Sequence, residues 1–318
     1  MAIGSAQGDH AGHRRSAGRR GGGFIGRAVV RALGRNSVRD ADIVVPRSQS
    51  CDLRVLSNCR EAMRGCDTVI HLAAPTGSVA FSKAHPASQY RDCSLININV
   101  FEAAREAGVK KLIGVGNLLA YPAATPMPMQ EAHVHDGRVA DGYLGIALAK
   151  RQLIDLAEMY HREFAVPAVT VLGANAYGPG DHFAGAQAHV IPSTIVKCLR
   201  DEDLVVWGDG SATRDFLYVD DLADGILVAG ERLEPAGLVN VGSGREVSIA
   251  DLVHLIAKLC GFRRRIVFDA SRGGGDRRMA STARASALCN FQPRVALEEG
   301  LRRTIEWYQR SLSTPAAS

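Results

Sequence analysis

The sequence predicts an α/β fold: a doubly wound parallel sheet, with a second, smaller α/β unit at the C-terminal end. Three observations predict it. Apolar strand-like runs alternate with helical periods, and no hairpin signal separates them, which is the pattern of βαβ units. A glycine run, Gly21-Gly22-Gly23-Phe24-Ile25-Gly26, enters an apolar helix-forming stretch. A backbone without Cβ atoms can approach a diphosphate, and the N–H groups of the helix start point at the anion. Beyond residue 175 the rhythm breaks into loop-rich sequence. Together these describe a Rossmann-type dinucleotide-binding domain over residues 1–174, joined by about 215–242. A substrate domain made of 175–214 and 243–318 completes the chain.

In chain order, the glycine loop leads to a helix that Gly34 should close with a left-handed stop. The second strand, Ile43-Val44-Val45-Pro46, ends where such a fold reads the cofactor ribose. That position holds Arg47 and no acidic residue. A carboxylate would accept from a ribose 2′-OH, whereas arginine pairs with a 2′-phosphate, so NADP is favoured and NAD stays open. The alternative is a solvated loop arginine. The strand before the glycine loop is the odd feature. Gly12-His13-Arg14-Arg15-Ser16-Ala17-Gly18-Arg19-Arg20 stands where an apolar strand belongs, and a central strand of that composition would bury unpaired guanidinium groups. Residues 13–20 are therefore not expected to form one, and a misread or frame-slipped N-terminus is the hypothesis that accounts for them.

Asp67 to Ala74 reads as a buried parallel strand ending in small residues where a cofactor would lie. A helix from Ile98 to Glu106 closes at Gly108, and Lys111 to Val115 is the next strand. Leu153, Leu156, Ala157, Tyr160 and Phe164 share one helical face, followed by a strand from Ala168 to Leu172. Asn175 to Asp181 is loop by composition. A short helix at about 190–200, a strand Leu204–Trp207, a helix capped at Ser248 and stopped at Gly261, and a last helix Leu297–Tyr308 follow. The tail from Ser311 should fray.

Composition narrows the function. A charged content of 22% beside 46% hydrophobic residues is that of an ordinary globular enzyme. The net charge of +5 owes much to arginines near the N-terminus and to Arg263-Arg264-Arg265, and no basic helix carries interleaved aromatics. Nucleic acid is not favoured; a phosphorylated small ligand is. Cysteines 51, 59, 66, 93, 198, 260 and 289 form no CxxC and no zinc spacing, so neither a disulfide framework nor a metal site is expected, and a reducing cytoplasm is. No run reaches membrane-spanning length.

At this point the residues resemble a known family, the extended short-chain dehydrogenase/reductases that act on nucleotide sugars. Gly23-Phe24-Ile25-Gly26, His71-Leu72-Ala73-Ala74, the Asn175–Asp181 loop and the run from Trp207 to Asp221 (WGDGSATRDFLYVDD) carry the resemblance, which spans about 21–309. The last run is the most specific. Gly180-Asp181-His182-Phe183 with Ala188-His189-Val190-Ile191-Pro192 is similar to the GDP-L-fucose synthase branch. The branch epimerises GDP-4-keto-6-deoxymannose and reduces its ketone with NADPH.

The resemblance implies cofactor contacts at Gly21, Gly23, Phe24, Ile25, Gly26, Arg47, Asp52, Leu53, Leu72, Ala73, Ala74 and Lys150. It implies substrate contacts at Asn175, His189, Trp207 and Arg214, a GDP-sugar ligand and a homodimer formed through a helix pair. Arg214 could equally pair with Asp215 or Asp220, Asn175 could shape an Asx turn, and His189 could be an ordinary helix-start residue.

Three catalytic positions depart from the family pattern. Its Tyr-x-x-x-Lys pair keeps Lys150, but Ile146 stands four residues before it and can neither donate nor accept a proton. The hydroxyl position is Asn117, which can still donate a hydrogen bond. Leu119 stands where the branch carries an epimerising cysteine. Tyr143 is a substitute phenol only if the helix shifts register, since seven residues put it about 10 Å along the axis from Lys150 against about 6 Å for the usual pair. Lys150, His189, Asn117 and Tyr143 are thus the candidate catalytic residues. Two readings stay open: an altered nucleotide-sugar epimerase/reductase, or a silent member that binds cofactor, sugar nucleotide or a partner.

Overall fold

The computed structural model describes residues 4–5, 22–75, 77, 79–184, 188–272 and 276–313. The strands are β1 (Gly4–Ser5), β2 (Ile43–Val44), β3 (Thr68–His71), β4 (Lys111–Asn117), β5 (Ala168–Gly173), β6 (Asn175–Tyr177), β7 (Leu204–Trp207), β8 (Thr213–Arg214), β9 (Phe216–Tyr218), β10 (Leu238–Val241), β11 (Val247–Ser248), β12 (Ile266–Asp269) and β13 (Arg277–Arg278). The main helices are α1 (Phe24–Arg35), α2 (Leu56–Met63), α3 (Val79–Ala84), α4 (Pro86–Ala107), α5 (Leu144–Phe164), α6 (Val190–Leu199), α7 (Val219–Arg232), α8 (Ile249–Leu259), α9 (Ala283–Cys289) and α10 (Leu297–Ser313).

The main sheet has the order β10-β5-β4-β3-β1-β2. Strands β3, β4, β5 and β10 are parallel, and their register explains the two cores. Val69, Leu112 and Ala168 stand side by side, and so do their successors Ile70, Ile113 and Val169. Successive side chains point to opposite faces. The first trio packs with Met63, Phe101, Leu153 and Leu156 under α2, α4 and α5; the second packs with Val29, Leu222 and Ile226 under α1 and α7. Both faces are covered, as a doubly wound sheet requires. In α7, a Cβ on Gly230 would meet the Ile113 side chain at 2.1 Å, so glycine lets this helix lie close against the sheet.

The slot expected to lack a strand is filled differently from the expectation. Gly4–Ser5 occupies it and pairs antiparallel with both β2 and β3, so the sheet is mixed rather than wholly parallel. Two small residues near the chain start, not an apolar run, bridge the gap. The stretch 13–20 and Gly21 lie outside the described residues.

Other corrections concern boundaries. Gly34 lies inside α1, and Ser37 at φ 65° takes the left-handed turn instead. Helix α4 starts three turns earlier than its apolar period suggests, with Pro86 in its first turn, and α5 starts at Leu144. Ser248 caps α8 as its pattern predicts, accepting from the Asp251 N–H at 3.0 Å. A third apolar core joins α6, α8 and α10 through Ile191, Ile195, Leu252, Ile256, Leu301 and Ile305, together with β7 and β9. Among the described residues no helix is long and apolar enough to cross a membrane, and no cluster of His, Cys, Asp or Glu could hold a metal ion.

Candidate active site

The carboxyl ends of β2, β3 and β4 lie at one edge of the sheet, where ligands of α/β folds collect. Gly23 caps α1 there, and a Cβ on it would meet nothing within 4 Å, which leaves its outer side open to a ligand. Phe24, Ile25 and Gly26 form the first turn, which carries no acidic residue. Its bare N–H groups and positive dipole end suit a diphosphate. Arg47 follows β2, and its carbonyl closes a turn by accepting from the Ser50 and Cys51 N–H groups. Asp52 is half-buried and forked by Arg54, whose hydrogen bonds hold its carboxyl below the usual range; Leu53 is buried among α2 and α4. Leu72, Ala73 and Ala74 continue β3, each packed against a different apolar cluster.

Lys150 is positioned by glycines on the neighbouring strand. Gly114 and Gly116 present no side chain to α5, so the Leu153 side chain packs over the first and the Lys150 backbone over the second. This close approach brings Lys150 Nζ to donate to the Val115 carbonyl at 3.1 Å. A buried polar chain holds the helix at the same level. Asn97 Nδ2 donates to the Ala149 carbonyl at 2.9 Å and to Gln152 Oε1 at 3.1 Å, while Asn97 Oδ1 accepts from His71 Nε2 at 2.9 Å. Burial pushes His71 down to about 3, so it is neutral.

Burial also pulls the Lys150 ammonium down to about 8, with the nearby Cys93 opposing the shift. The folded pKa lies below the unfolded value of 10.5, so the burial penalty is complete below pH 8 and fades between pH 8 and 10.5. Lys150→Met should therefore stabilise the fold at pH 7 by up to about 3 kcal/mol, less about 1 kcal/mol for the orphaned Val115 carbonyl. Thermal melts at pH 7 and pH 10 check this. A stability difference that stays constant across that interval would show that the ammonium is not desolvated.

Around Lys150 lies an apolar cluster. Ile146, 4% exposed, packs with Cys93 and Ala149, and Ala74, Leu119 and Tyr143 close over them. Burial raises the Cys93 thiol to about 11. Asn117, at the end of β4, turns its Oδ1 back to accept from the Leu119 N–H at 3.1 Å, which caps the short helical turn Leu118–Ala120. Helix α5 runs unbroken from Leu144, and Gly145 sits against the Pro86 carbonyl, where a Cβ would clash at 2.2 Å. No register change near Gly145 therefore lowers Tyr143 to the height of Ile146. Tyr143 is the residue before α5, and its ring faces the Arg278 guanidinium at 5.1 Å.

That arginine is part of a group the sequence reading missed. β8 and β13 are parallel, and their register sets Arg214 beside Arg278. Asp276 bridges them, at 2.7 Å to Arg214 and 3.1 Å to Arg278. Neither Asp215 nor Asp220 pairs with Arg214: Asp215 is buried and accepts from Ser243, Gly244 and Ala280, and Asp220 pairs with Arg31. Burial raises the Asp276 carboxyl, but the two guanidiniums outweigh it and leave it below the usual range. Arg278 is pulled down by burial and then by Arg214. Two guanidiniums share one carboxylate, and the surplus positive charge is what a diphosphate would neutralise. Only part of the signal is local: Asp276 and Arg278 are two apart, so an extended chain puts them on one side, but the β13–β8 pairing is what brings Arg214 to them.

Asn175 does not form an Asx turn; its backbone and side chain both donate to the Asp215 carbonyl. His189 is the exposed N-cap of α6, and Trp207 ends β7, largely exposed. The structure thus gathers Ile146, one turn before Lys150, and Tyr143 into one cluster, and Tyr143 reaches the group of Arg278, Asp276 and Arg214.

This fold and this edge are those of a nicotinamide-dependent sugar-nucleotide enzyme class. A model of the NAD dependent epimerase/dehydratase family matches residues 21–242, and the chain belongs to that family. Within it, the chain is 32% identical over 307 residues to a probable GDP-L-fucose synthase 1 of Oryza sativa subsp. japonica, covering 94% of this chain and 90% of that protein. It is 30% identical to the GDP-L-fucose synthase of Escherichia coli (strain K12), covering 94% and 95%. The crystal structure of a GDP-L-fucose synthetase from Naegleria fowleri superposes with a TM-score of 0.81 at 25% identity, covering 92% of each chain. The chain therefore falls in the GDP-L-fucose synthase-like branch.

Proposed function

We propose that this protein is an NADP-dependent epimerase/reductase of a GDP-linked keto sugar, with altered proton-transfer groups. The observation that carries the reading is the contact chain from Ile146, one turn before Lys150, through Tyr143 to the Arg214–Asp276–Arg278 group. Its length joins a cofactor edge to a diphosphate-binding pair. Gly23, Phe24, Ile25 and Gly26 would hold the cofactor diphosphate, Arg47 its 2′-phosphate, and Ala73 and Ala74 its adenine side of the sheet edge. The bound cofactor supplies hydride. Lys150 would orient the nicotinamide ribose, Asn117 would donate to the substrate ketone through its Nδ2 while its Oδ1 stays on the Leu119 N–H, and His189 would exchange the proton of epimerisation.

Binding and turnover test the reading separately. Tight NADPH binding with at most slow oxidation of NADPH by GDP-4-keto-6-deoxymannose is expected; binding of neither ligand would end it. Arg47→Ala should weaken NADPH by roughly 10- to 150-fold, the worth of one charged hydrogen bond of about 1.5–3 kcal/mol, and leave NADH nearly unchanged. Equal losses for both cofactors would remove Arg47 from the 2′-phosphate.

The second reading, a member that binds without turnover, is favoured by Ile146 filling the phenol position. NADP released on denaturation with no turnover of any keto sugar would establish it.

The same proposal includes a homodimer. Tyr90, Leu95 and Ile98 on α4 and Leu148 and Met159 on the adjoining α5 are exposed apolar residues. Leu148 and Met159 are three turns apart on one face. Sedimentation should give twice the 34.0 kDa chain mass, and Leu148→Arg should give the monomer. A monomeric parent protein would refute the pairing.

A further inference from the structure

One side chain joins the cofactor loop to the turn that follows β6. Arg27 stands in the first turn of α1, and its N–H donates to the Gly23 carbonyl at 3.1 Å, so the side chain starts from a fixed point. Its guanidinium donates through Nη1 to the Gly22 carbonyl at 3.0 Å and through Nη2 to the Gly180 carbonyl, across 153 residues of chain. A guanidinium is planar and carries its donors in a rigid fork, so two carbonyls bound by it keep a set separation.

Both tied segments are glycine turns. Gly22 and Gly23 lead into the bare N–H groups of α1. On the far side, Gly178 and Gly180 take φ values of 150° and 86°, which other residues rarely adopt. A Cβ on Gly180 would stand 3.3 Å from Arg27 Nη2, so a side chain there would crowd the guanidinium. The turn is anchored at both ends. Tyr177 in β6 donates its hydroxyl to the Leu297 carbonyl at 3.2 Å, and the Phe183 ring stacks on Tyr308 with centroids 4.3 Å apart. Between these anchors, Arg27 grips the Gly180 carbonyl from the cofactor side.

We propose that Arg27 is a positioning residue that couples the two ligand sites: a cofactor diphosphate seated at the start of α1 fixes Gly22 and Arg27, and Arg27 then holds the Gly178–Asp181 turn in the form the sugar nucleotide meets. This rests on the epimerase/reductase reading above, under which the cofactor lies at α1 and the sugar nucleotide meets Asn175 and His189 on either side of the turn. Each ligand orders a segment that the other needs ordered, so the second to bind has less left to order and the coupling is positive. It is also reciprocal: the cofactor strengthens the sugar nucleotide by the factor with which the sugar nucleotide strengthens the cofactor. A lysine at 27 would keep the charge beside the diphosphate but lacks the planar fork that sets the two carbonyls apart.

Amide hydrogen exchange and calorimetry on the parent protein, Arg27→Ala and Arg27→Lys test this. Without ligand, the Asp181 amide, which donates to the Gly178 carbonyl at 3.2 Å, should exchange faster in both variants, by about 10-fold or more for the loss of one charged hydrogen bond. NADPH should slow that exchange in the parent protein and not in the variants. GDP should bind at least about 5-fold tighter with NADPH saturating than without it, the low end of ordinary coupling between sites, and the ratio should fall to about 1 in both variants. Arg27→Lys should lose less NADPH affinity than Arg27→Ala, because it keeps the charge. A ratio near unity in the parent protein, NADPH binding that leaves the Asp181 amide unchanged, or full coupling in Arg27→Lys would each overturn the proposal. Should Arg27→Ala fail to fold, the parent protein and Arg27→Lys still decide. A parent protein that binds neither NADPH nor GDP would overturn the functional reading and this proposal with it, whereas tight binding of both without coupling overturns this proposal alone.

Discussion

Ile146→Tyr is expected to raise the rate of ketone reduction by about 10²–10⁴, the range a positioned general acid contributes. The argument is geometric. Ile146 lies one helical turn before Lys150 on an unbroken α5, and both side chains are buried on the face that packs toward β4. A phenol at 146 would stand beside an ammonium already drawn down to about 8, and that positive charge favours the phenolate. The larger ring must pass the rim formed by Leu119, Ala74 and Tyr143 to reach the open cofactor side. Asn117→Thr should add to the gain more than independently, because both groups address one substrate oxygen and should couple. Asn117 spends its oxygen on the Leu119 N–H and offers the substrate only its Nδ2, whereas a threonine hydroxyl is both donor and acceptor. Single-turnover NADPH oxidation with GDP-4-keto-6-deoxymannose, on the parent protein, Ile146→Tyr, the double variant and Tyr143→Phe, reads all of this. Good activity in the parent protein that survives Tyr143→Phe would mean that another group or water delivers the proton. Activity abolished by Tyr143→Phe would make Tyr143 the donor despite its place before the helix.

What was legible in the sequence follows from which forces act locally. The strands β3, β4 and β5 and the caps of α4 and α8 were readable because apolar runs, Gly108 at φ 64° and the Ser248–Asp251 pair act within a few residues. The first turns of α4 were not, since Gln89, Cys93, Ser94 and Asn97 are polar or small yet buried, and their burial depends on Pro75, His71 and α5 far along the chain. Lys150, Ile146 and Arg214 were found through the family resemblance, by the motifs this sequence shares with it or departs from. Arg278 and Asp276 were missed because only the pairing of β13 with β8 brings them to Arg214, across 62 residues of chain. The occupant of the first-strand slot was invisible for a related reason: Gly4–Ser5 has no apolar pattern and enters the sheet only because β2 and β3 leave two edges to pair.

Removing either arginine of the bridged pair is expected to weaken the sugar nucleotide by roughly 10- to 150-fold, the loss of charged hydrogen bonds of about 1.5–3 kcal/mol. The two losses should add, because each guanidinium removed lowers the local charge by one. Arg214, Asp276 and Arg278 together carry one surplus positive charge, and deleting either guanidinium leaves a neutral ion pair with nothing to offer a diphosphate. In Arg214→Ala, Asp276 should close on Arg278; in Arg278→Ala, it should close on Arg214. The double variant leaves Asp276 as a lone carboxylate facing the ligand, so it should bind worse than either single one by a second loss of similar size. Asp276→Asn removes the competitor, so the two guanidiniums should still bind the ligand and the affinity should fall least of the four variants. NADPH affinity should stay unchanged throughout, because β8 and β13 lie in a separate small sheet from the cofactor edge. Calorimetric titration with GDP and with NADPH decides the matter. A double variant that binds no worse than either single one would show that the local charge does not hold the ligand, and a parallel loss of NADPH would show that the pair supports the fold and not the ligand.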